Sequence, residues 1–171
     1  MKLRRLELKD APLMLEWMHD QDVVEKMQAD FASKTIEDCK KFIQDSQNNK
    51  MDLNLAIVDE QDIYMGTVSL KNITEKDAEF AITIRKAAMG TGISTYAIKK
   101  IIEIGLNKLN LEVIYWYVAK DNYRAIRFYD KNKYKKVEYS IIKNKTDIQQ
   151  FNNPENYEWY IVMNEEKDIK E

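Results

Sequence analysis

The chain has 171 residues, 44% hydrophobic and 33% charged, which is the size of one globular domain with enough apolar side chains for a core. A formal net charge of −2 gives neither nucleic acid nor a membrane surface an electrostatic reason to be the main partner. No run of 18 apolar residues and no leader pattern at MKLRRLELKD is found, so a cytoplasmic protein is expected, and the single Cys39 excludes an internal disulfide.

KLRRLEL predicts a first strand carrying Leu3, Leu6 and Leu8, and Asp10 with Pro12 predicts the cap and first turn of a helix. Leu13, Leu15, Trp17 and Met18 give that helix its apolar side. Ser33 or Thr35, with Glu37, introduces a second helix, TIEDCKKFIQDSQ, with Ile36 and Phe42 facing inward. Cys39, within DCKK, reads as an ordinary helix residue. His19 has no cysteine or histidine at ligand spacing, so no metal site is expected.

LNLAIVDE (Leu53 to Glu60) and YMGTVSLKNI (Tyr64 to Ile73) alternate on either side of a polar EQD turn and predict an antiparallel hairpin. EFAITI (Glu79 to Ile84) predicts a strand with Phe80, Ile82 and Ile84 on one face and Glu79, Ala81 and Thr83 on the other. The second face is small and polar, with one carboxylate in it.

RKAAMGTGISTYAIKKIIEIGLNKL (Arg85 to Leu109) follows, a glycine-bearing turn opening into the longest helical pattern of the chain. A helix start leaves backbone N–H groups without intrahelical partners and adds a partial positive charge, so an anion fits there. Gly90 and Gly92 would let a phosphate approach the backbone closely. The letters are neither a Walker loop, which needs Gly-Lys-Ser/Thr, nor a dinucleotide fingerprint, which needs a third glycine where Ser94 and Thr95 stand.

Ile93, Ala97, Ile101, Ile102, Gly105 and Leu109 form a stripe that packs on a sheet. LEVIYWYV (Leu111 to Val118) is apolar on nearly both faces and predicts a central strand. DNYRAIRFYDKNK predicts a helix capped by Asp121 or Asn122, with Asn122, Ala125 or Ile126, and Tyr129 on one face. YKKVEYSIIK and NYEWYIVMNE predict a closing strand pair around NKTDIQQFNNPE. The boundaries expected are a domain over 1–165 and a polar tail over 166–171. Strands interleaved with helices make an α/β protein.

Two stretches resemble the GNAT superfamily of N-acetyltransferases. MGTGIS is similar to that family's Gln/Arg-x-x-Gly-x-Gly/Ala turn, with Gly92 central, Met89 where Gln or Arg is usual and Ser94 where Gly or Ala is usual. YWYVAKDNYRAIRFYDKNKYKKV resembles the segment in which the family carries Asn, then Ala, then Tyr, filled here by Asn122, Ala125 and Tyr129. Lys133 and Tyr134 stand where Gly and Phe are usual. LEWMHDQDV also resembles the branch that includes ribosomal-protein N-terminal acetyltransferases and amino-sugar acetyltransferases.

The resemblance implies a single α/β domain, with a mixed, mostly antiparallel sheet of about seven strands and about four helices. It implies acetyl-CoA as acetyl donor, held at Thr83, Ile84, Met89, Gly90, Thr91, Gly92, Ile93, Ser94 and Asn122. The acceptor it implies is a primary amine, of a small molecule or a protein N-terminus, acetylated by direct transfer in a ternary complex. A homodimer is compatible with it. Such an amine, with a pKa near 10, is mostly protonated at neutral pH and needs a base or a water chain; Glu79 is the candidate. The departing thiolate needs a proton, and Tyr129 is the candidate donor. A backbone N–H of the Glu79 to Ile84 strand is the candidate for the oxyanion. A structural role for each side chain stands beside these: an ion pair for Glu79, a core phenol for Tyr129. Met89 and Lys133 motivate a second class, a catalytically degenerate acyl-CoA-binding or sensory module.

Overall fold

The computed structural model describes residues 1–27 and 29–168. Its strands are β1 (Lys2–Arg5), β2 (Leu53–Val58), β3 (Tyr64–Lys71), β4 (Asp77–Ile84), β5 (Val113–Ala119), β6 (Lys135–Val137) and β7 (Tyr157–Met163). They form one seven-stranded sheet in the order β1-β2-β3-β4-β5-β7-β6. The helices are α1 (Ala11–Met18), α2 (Gln21–Val24), α3 (Ile36–Ser46), α4 (Ile93–Glu103), α5 (Tyr123–Lys131), α6 (Tyr139–Lys145) and α7 (Glu165–Asp168). The mixed α/β class is as expected; the helices exceed the expected four. Of the tail expected over 166–171, Glu166 to Asp168 lie in α7 and 169–171 lie outside the described residues.

The chain divides into two compact units, Met1–Leu70 with Ala81–Ile101, and Lys71–Phe80 with Ile102–Glu171. In the first, β1, β2 and β3 pair antiparallel, the β2–β3 pair being the expected hairpin. Asp59 makes its turn, its Oδ1 accepting the N–H groups of Gln61 and Ile63, while Asp62 takes a left-handed φ of 64°. β1 stops at Arg5 rather than running to Leu8. The Asp10 carboxylate accepts two bonds of 2.8 Å from the Arg4 guanidinium and one from the Glu7 N–H, which winds Leu8–Asp10 into a 3-10 turn. Asp10 therefore serves this clasp and makes no side-chain cap on α1.

Thr35 caps α3 in a reciprocal box with Asp38, not Glu37. Cys39 and Ile43 are the residues α3 buries; Phe42 is 39% exposed and Ile36 only partly buried, so the inward stripe lies one step round from the expected one. They join Leu6, Met14, Trp17 and Tyr64 in one core. Gly66 is required by packing: a Cβ on it would stand 2.3 Å from the Thr83 carbonyl oxygen. α4 buries Ile93, Ala97, Ile98 and Ile101.

In the second unit β5 pairs with β7 antiparallel over seven residues, and β6 pairs with β7 antiparallel. The β4–β5 ladder is parallel, with Asp77, Ala78 and Glu79 opposite Val113, Ile114 and Tyr115, and both strands continue past its last pair, to Ile84 and Ala119. Five of the seven residues of β5 are buried, Tyr117 and Ala119 being half-buried, as a central strand requires. The expected closing strand over YKKVEYSIIK is only three residues long. Glu138 turns the chain and Tyr139–Lys145 is helical, burying Ile142 against Val113, Tyr115, Trp159 and Ile161.

Candidate active site

The glycine turn is built by conformation. After β4 a 3-10 turn (Lys86–Ala88) leads to Gly90 with φ 76° and Gly92 with φ 84°, both left-handed, where a side chain is strained. A Cβ on either would meet nothing within 4 Å, so no packing demands the glycines and the space above them is open. The Thr91 N–H and hydroxyl both donate to the Ala88 carbonyl, fixing the bend. α4 begins at Ile93, and the Tyr96 N–H donates to the Gly92 carbonyl at 3.2 Å. The N–H groups of Ile93 and Ser94 precede that bond, at the positive end of the helix dipole.

The approach to the turn is anchored. Arg85 donates to both oxygens of Glu16, at 2.9 and 3.1 Å, and to the Tyr64 carbonyl at 3.1 Å, and Lys86 pairs with Asp22. Met89 packs against the core that holds α1 and α3, so its side chain is spent on packing. Thr83 and Ile84 are half-buried at the end of β4.

In the second unit Glu79 lies opposite Tyr115 and accepts a hydrogen bond from Tyr117. Burial first, then the Glu79 charge, raises the phenols of Tyr115 and Tyr117 above their ordinary range. Tyr117 in turn packs on Tyr157 and Trp159, with centroids 5.3 and 5.0 Å away. Sequence reading had no role for Tyr117; the odd positions of YWYV carry the signal, since Tyr115 and Tyr117 share a face with Glu79.

Tyr129 stands elsewhere. Its ring lies 5.3 Å from Trp116, 5.1 Å from Tyr160 and 6.4 Å from Phe80, residues of the opposite face. Burial, then the neighbouring Tyr160 and Tyr134, raises its phenol, so it keeps its proton at any physiological pH. Asn122 caps α5, its side-chain oxygen accepting the Ala125 N–H at 3.3 Å. At the other end of α5, Lys133 has a φ of 60°, its N–H donates to the Asp130 carbonyl, and the Tyr134 N–H donates to the Tyr129 carbonyl. That is a Schellman ending with a lysine where glycine is favoured.

Beside β6 and β7 is a cleft of about 760 Å³, walled by Val137, Tyr139, Pro154, Tyr157 and Trp159, with Glu138, Glu155, Glu158, Lys120 and Lys136 lining it too. His19 donates from Nε2 to the Lys34 carbonyl, and among the described residues no group of three His, Cys, Asp or Glu side chains could hold a metal ion. No helix among them is long and apolar enough to cross a membrane.

Residues 1–135 match the family model of the acetyltransferase (GNAT) domain. The acetyltransferase PseH of Campylobacter jejuni is 27% identical over 129 residues, covering 74% of this chain and 78% of that protein. Among solved structures, the spermidine N-acetyltransferase from Vibrio cholerae in complex with CoA and spermine is similar with a TM-score of 0.76 and 18% identity over 95% of each chain. A GNAT-family acetyltransferase from Bacillus anthracis gives a TM-score of 0.73 and 18% identity, over 95% of this chain and 94% of that one. At such identities the structures speak for the fold alone. The family match over residues 1–135 says more, and on it the chain belongs to the GNAT family of acetyltransferases, enzymes that take their acetyl group from acetyl-CoA.

Proposed function

We propose that this protein moves an acetyl group from acetyl-CoA to a primary amine by direct attack in a ternary complex, within a catalytic domain spanning residues 1–165. The observation that carries the reading is the placement of a carboxylate and a proton-retaining phenol on the two faces of one parallel strand pair, Glu79 on one and Tyr129 on the other. An amine attacking a thioester must lose a proton on the side from which it comes, and the thiolate must gain one on the side to which it leaves. One residue shuttling a proton needs neither separation. Glu79 takes the ammonium proton, directly or through water, and Tyr129 gives the thiolate its proton.

The coenzyme's diphosphate is assigned to the backbone of Met89, Gly90, Thr91, Gly92, Ile93 and Ser94, where N–H groups and a helix start meet without side chains in the way. Thr83 and Ile84 offer backbone beyond the last β4–β5 pair, and an N–H of that strand serves the oxyanion. Asn122 meets the coenzyme's arm. The acceptor is read as a cationic amine, because the cleft beside β6 and β7 combines aromatic walls with three carboxylates, against two lysines. The Vibrio cholerae structure holds spermine, which favours a small polyamine over a protein N-terminus of the ribosomal-protein type suggested by LEWMHDQDV.

Coenzyme A release measured over a panel of polyamines, amino sugars and N-terminal peptides tests the reading. Turnover with any primary amine supports it, and acetyl-CoA binding without release on any of them would establish the degenerate binding module instead.

A further inference from the structure

The chain has three tryptophans. Trp17 donates its indole N–H to the Tyr64 hydroxyl at 3.0 Å, and Trp159 donates to the Pro154 carbonyl at 3.0 Å. Trp116, only 2% exposed, has a buried Nε1–H with no hydrogen-bond partner among the described residues. Buried indole donors are ordinarily satisfied, and an orphan one calls for an explanation. Its ring stacks on Tyr160 at an interplanar angle of 9° and centroid distance of 5.5 Å, while Phe80, Tyr129 and Tyr134 approach at 5.2 to 5.3 Å. The Tyr160 hydroxyl is committed to Asp130, donating to it at 3.0 Å. The ring that carries the orphan therefore packs against the ring of Tyr129, the phenol assigned to protonate the thiolate, in aromatic surroundings.

We infer that Trp116 is a ligand-binding residue, its Nε1–H donating to a carbonyl oxygen in the acylated arm of acetyl-CoA, next to Tyr129. The inference rests on the acetyltransferase reading above and adds a contact to it. A neutral carbonyl is the fitting acceptor: the four rings around Trp116 offer no charge to solvate a phosphate, whereas an amide or thioester oxygen enters such surroundings once it finds a donor. The donor also gains, since a group without a partner in the free protein acquires one on binding.

Indole N–H resonances of the ¹⁵N-labelled protein test this, because only three are expected and Trp→Phe variants assign them. Acetyl-CoA is expected to move the Trp116 signal downfield, and adenosine diphosphate, which has the diphosphate without the arm, to leave it in place. Trp116→Phe is expected to weaken acetyl-CoA binding by about tenfold in calorimetry, the size of one neutral hydrogen bond, and adenosine diphosphate binding not at all. If acetyl-CoA binds the wild type with the Trp116 signal unmoved, or if adenosine diphosphate moves it equally, the inference is wrong and the acetyltransferase reading stands. If acetyl-CoA does not bind the wild type, that reading itself falls. The wild-type resonances decide the matter even if the variant does not fold.

Discussion

Glu79 and Tyr129 occupy opposite faces of the sheet. Glu79 is level with Tyr115 and bonded to Tyr117, whereas Phe80 and Trp116, each one residue along its strand, turn the other way and meet the Tyr129 ring. Removing either group should therefore damage a different proton transfer.

Tyr129→Phe keeps the ring packing on Trp116 and Tyr160 and deletes only the hydroxyl. Steady-state rates should fall by about 10²-fold or more, the usual worth of a placed acid, with acetyl-CoA affinity little changed. Unchanged turnover would return Tyr129 to a purely structural role.

Glu79→Gln separates a base from a strut. As base, its loss should be largest near neutral pH, about 10²-fold, and should shrink as pH approaches about 10, where the amine deprotonates without help. A loss constant across that range would mean that Glu79 serves the fold through Tyr117.

Lys133→Gly should stabilise the protein. The left-handed φ at Lys133 carries a penalty for any residue with a Cβ, about 1 kcal/mol, which glycine avoids. Against this stands the greater freedom of glycine in the unfolded chain. The net expectation in thermal melts is a rise of about 1–3 °C, and a fall would show that the lysine side chain makes a compensating contact.

Two glycines should respond differently to alanine. Gly92→Ala meets open space, so its cost is backbone strain of about 1–2 kcal/mol together with weaker coenzyme binding. Gly66→Ala puts a methyl 2.3 Å from a backbone oxygen and should cost about 3 kcal/mol or abolish folding. Denaturant melts of the two variants, compared for midpoint, check the order.

Asp77 is a buried carboxylate, 2% exposed, whose Oδ2 accepts the Asp147 N–H at 2.6 Å and whose Oδ1 accepts from Thr74. Burial raises it above its ordinary 3.8, ahead of the bonds that lower it. A raised folded value means that the folded state holds the proton more tightly, so the associated stability is present below pH 3.8 and lost as pH rises through the folded value. Relative to Asp77→Asn, the wild type should lose stability over that window; a difference independent of pH would show that its surroundings are not what perturbs Asp77.

Much of this was legible in the letters, wherever a residue's own geometry decides its place. Two glycines before a long apolar stripe wrote the turn and α4, and alternation wrote the β2–β3 hairpin. What was hidden depends on partners far away in sequence. Phe42 and Ile43 are equally apolar neighbours in α3, and only the core against which α3 packs chooses Ile43. Val137, Tyr139 and Ile141 alternate as a strand would, but Ile142 has a buried place to fill and the helix Tyr139–Lys145 delivers it. In the candidate site, Glu79 and Tyr129 were visible as residue types, while Tyr117 and the unpartnered Trp116 were concealed in a run apolar on nearly every position.

Asn122 spends its oxygen on the start of α5, and the division has a price for whatever comes near. The amide's two hydrogens take no part in that bond and outnumber the oxygen's one remaining lone pair, so the spot suits a visitor with a lone pair, such as a carbonyl or a water oxygen. The polarity of that spot is thus settled by the way a helix begins. An aspartate in the same place would begin the helix equally well and greet the same visitor with the opposite sign.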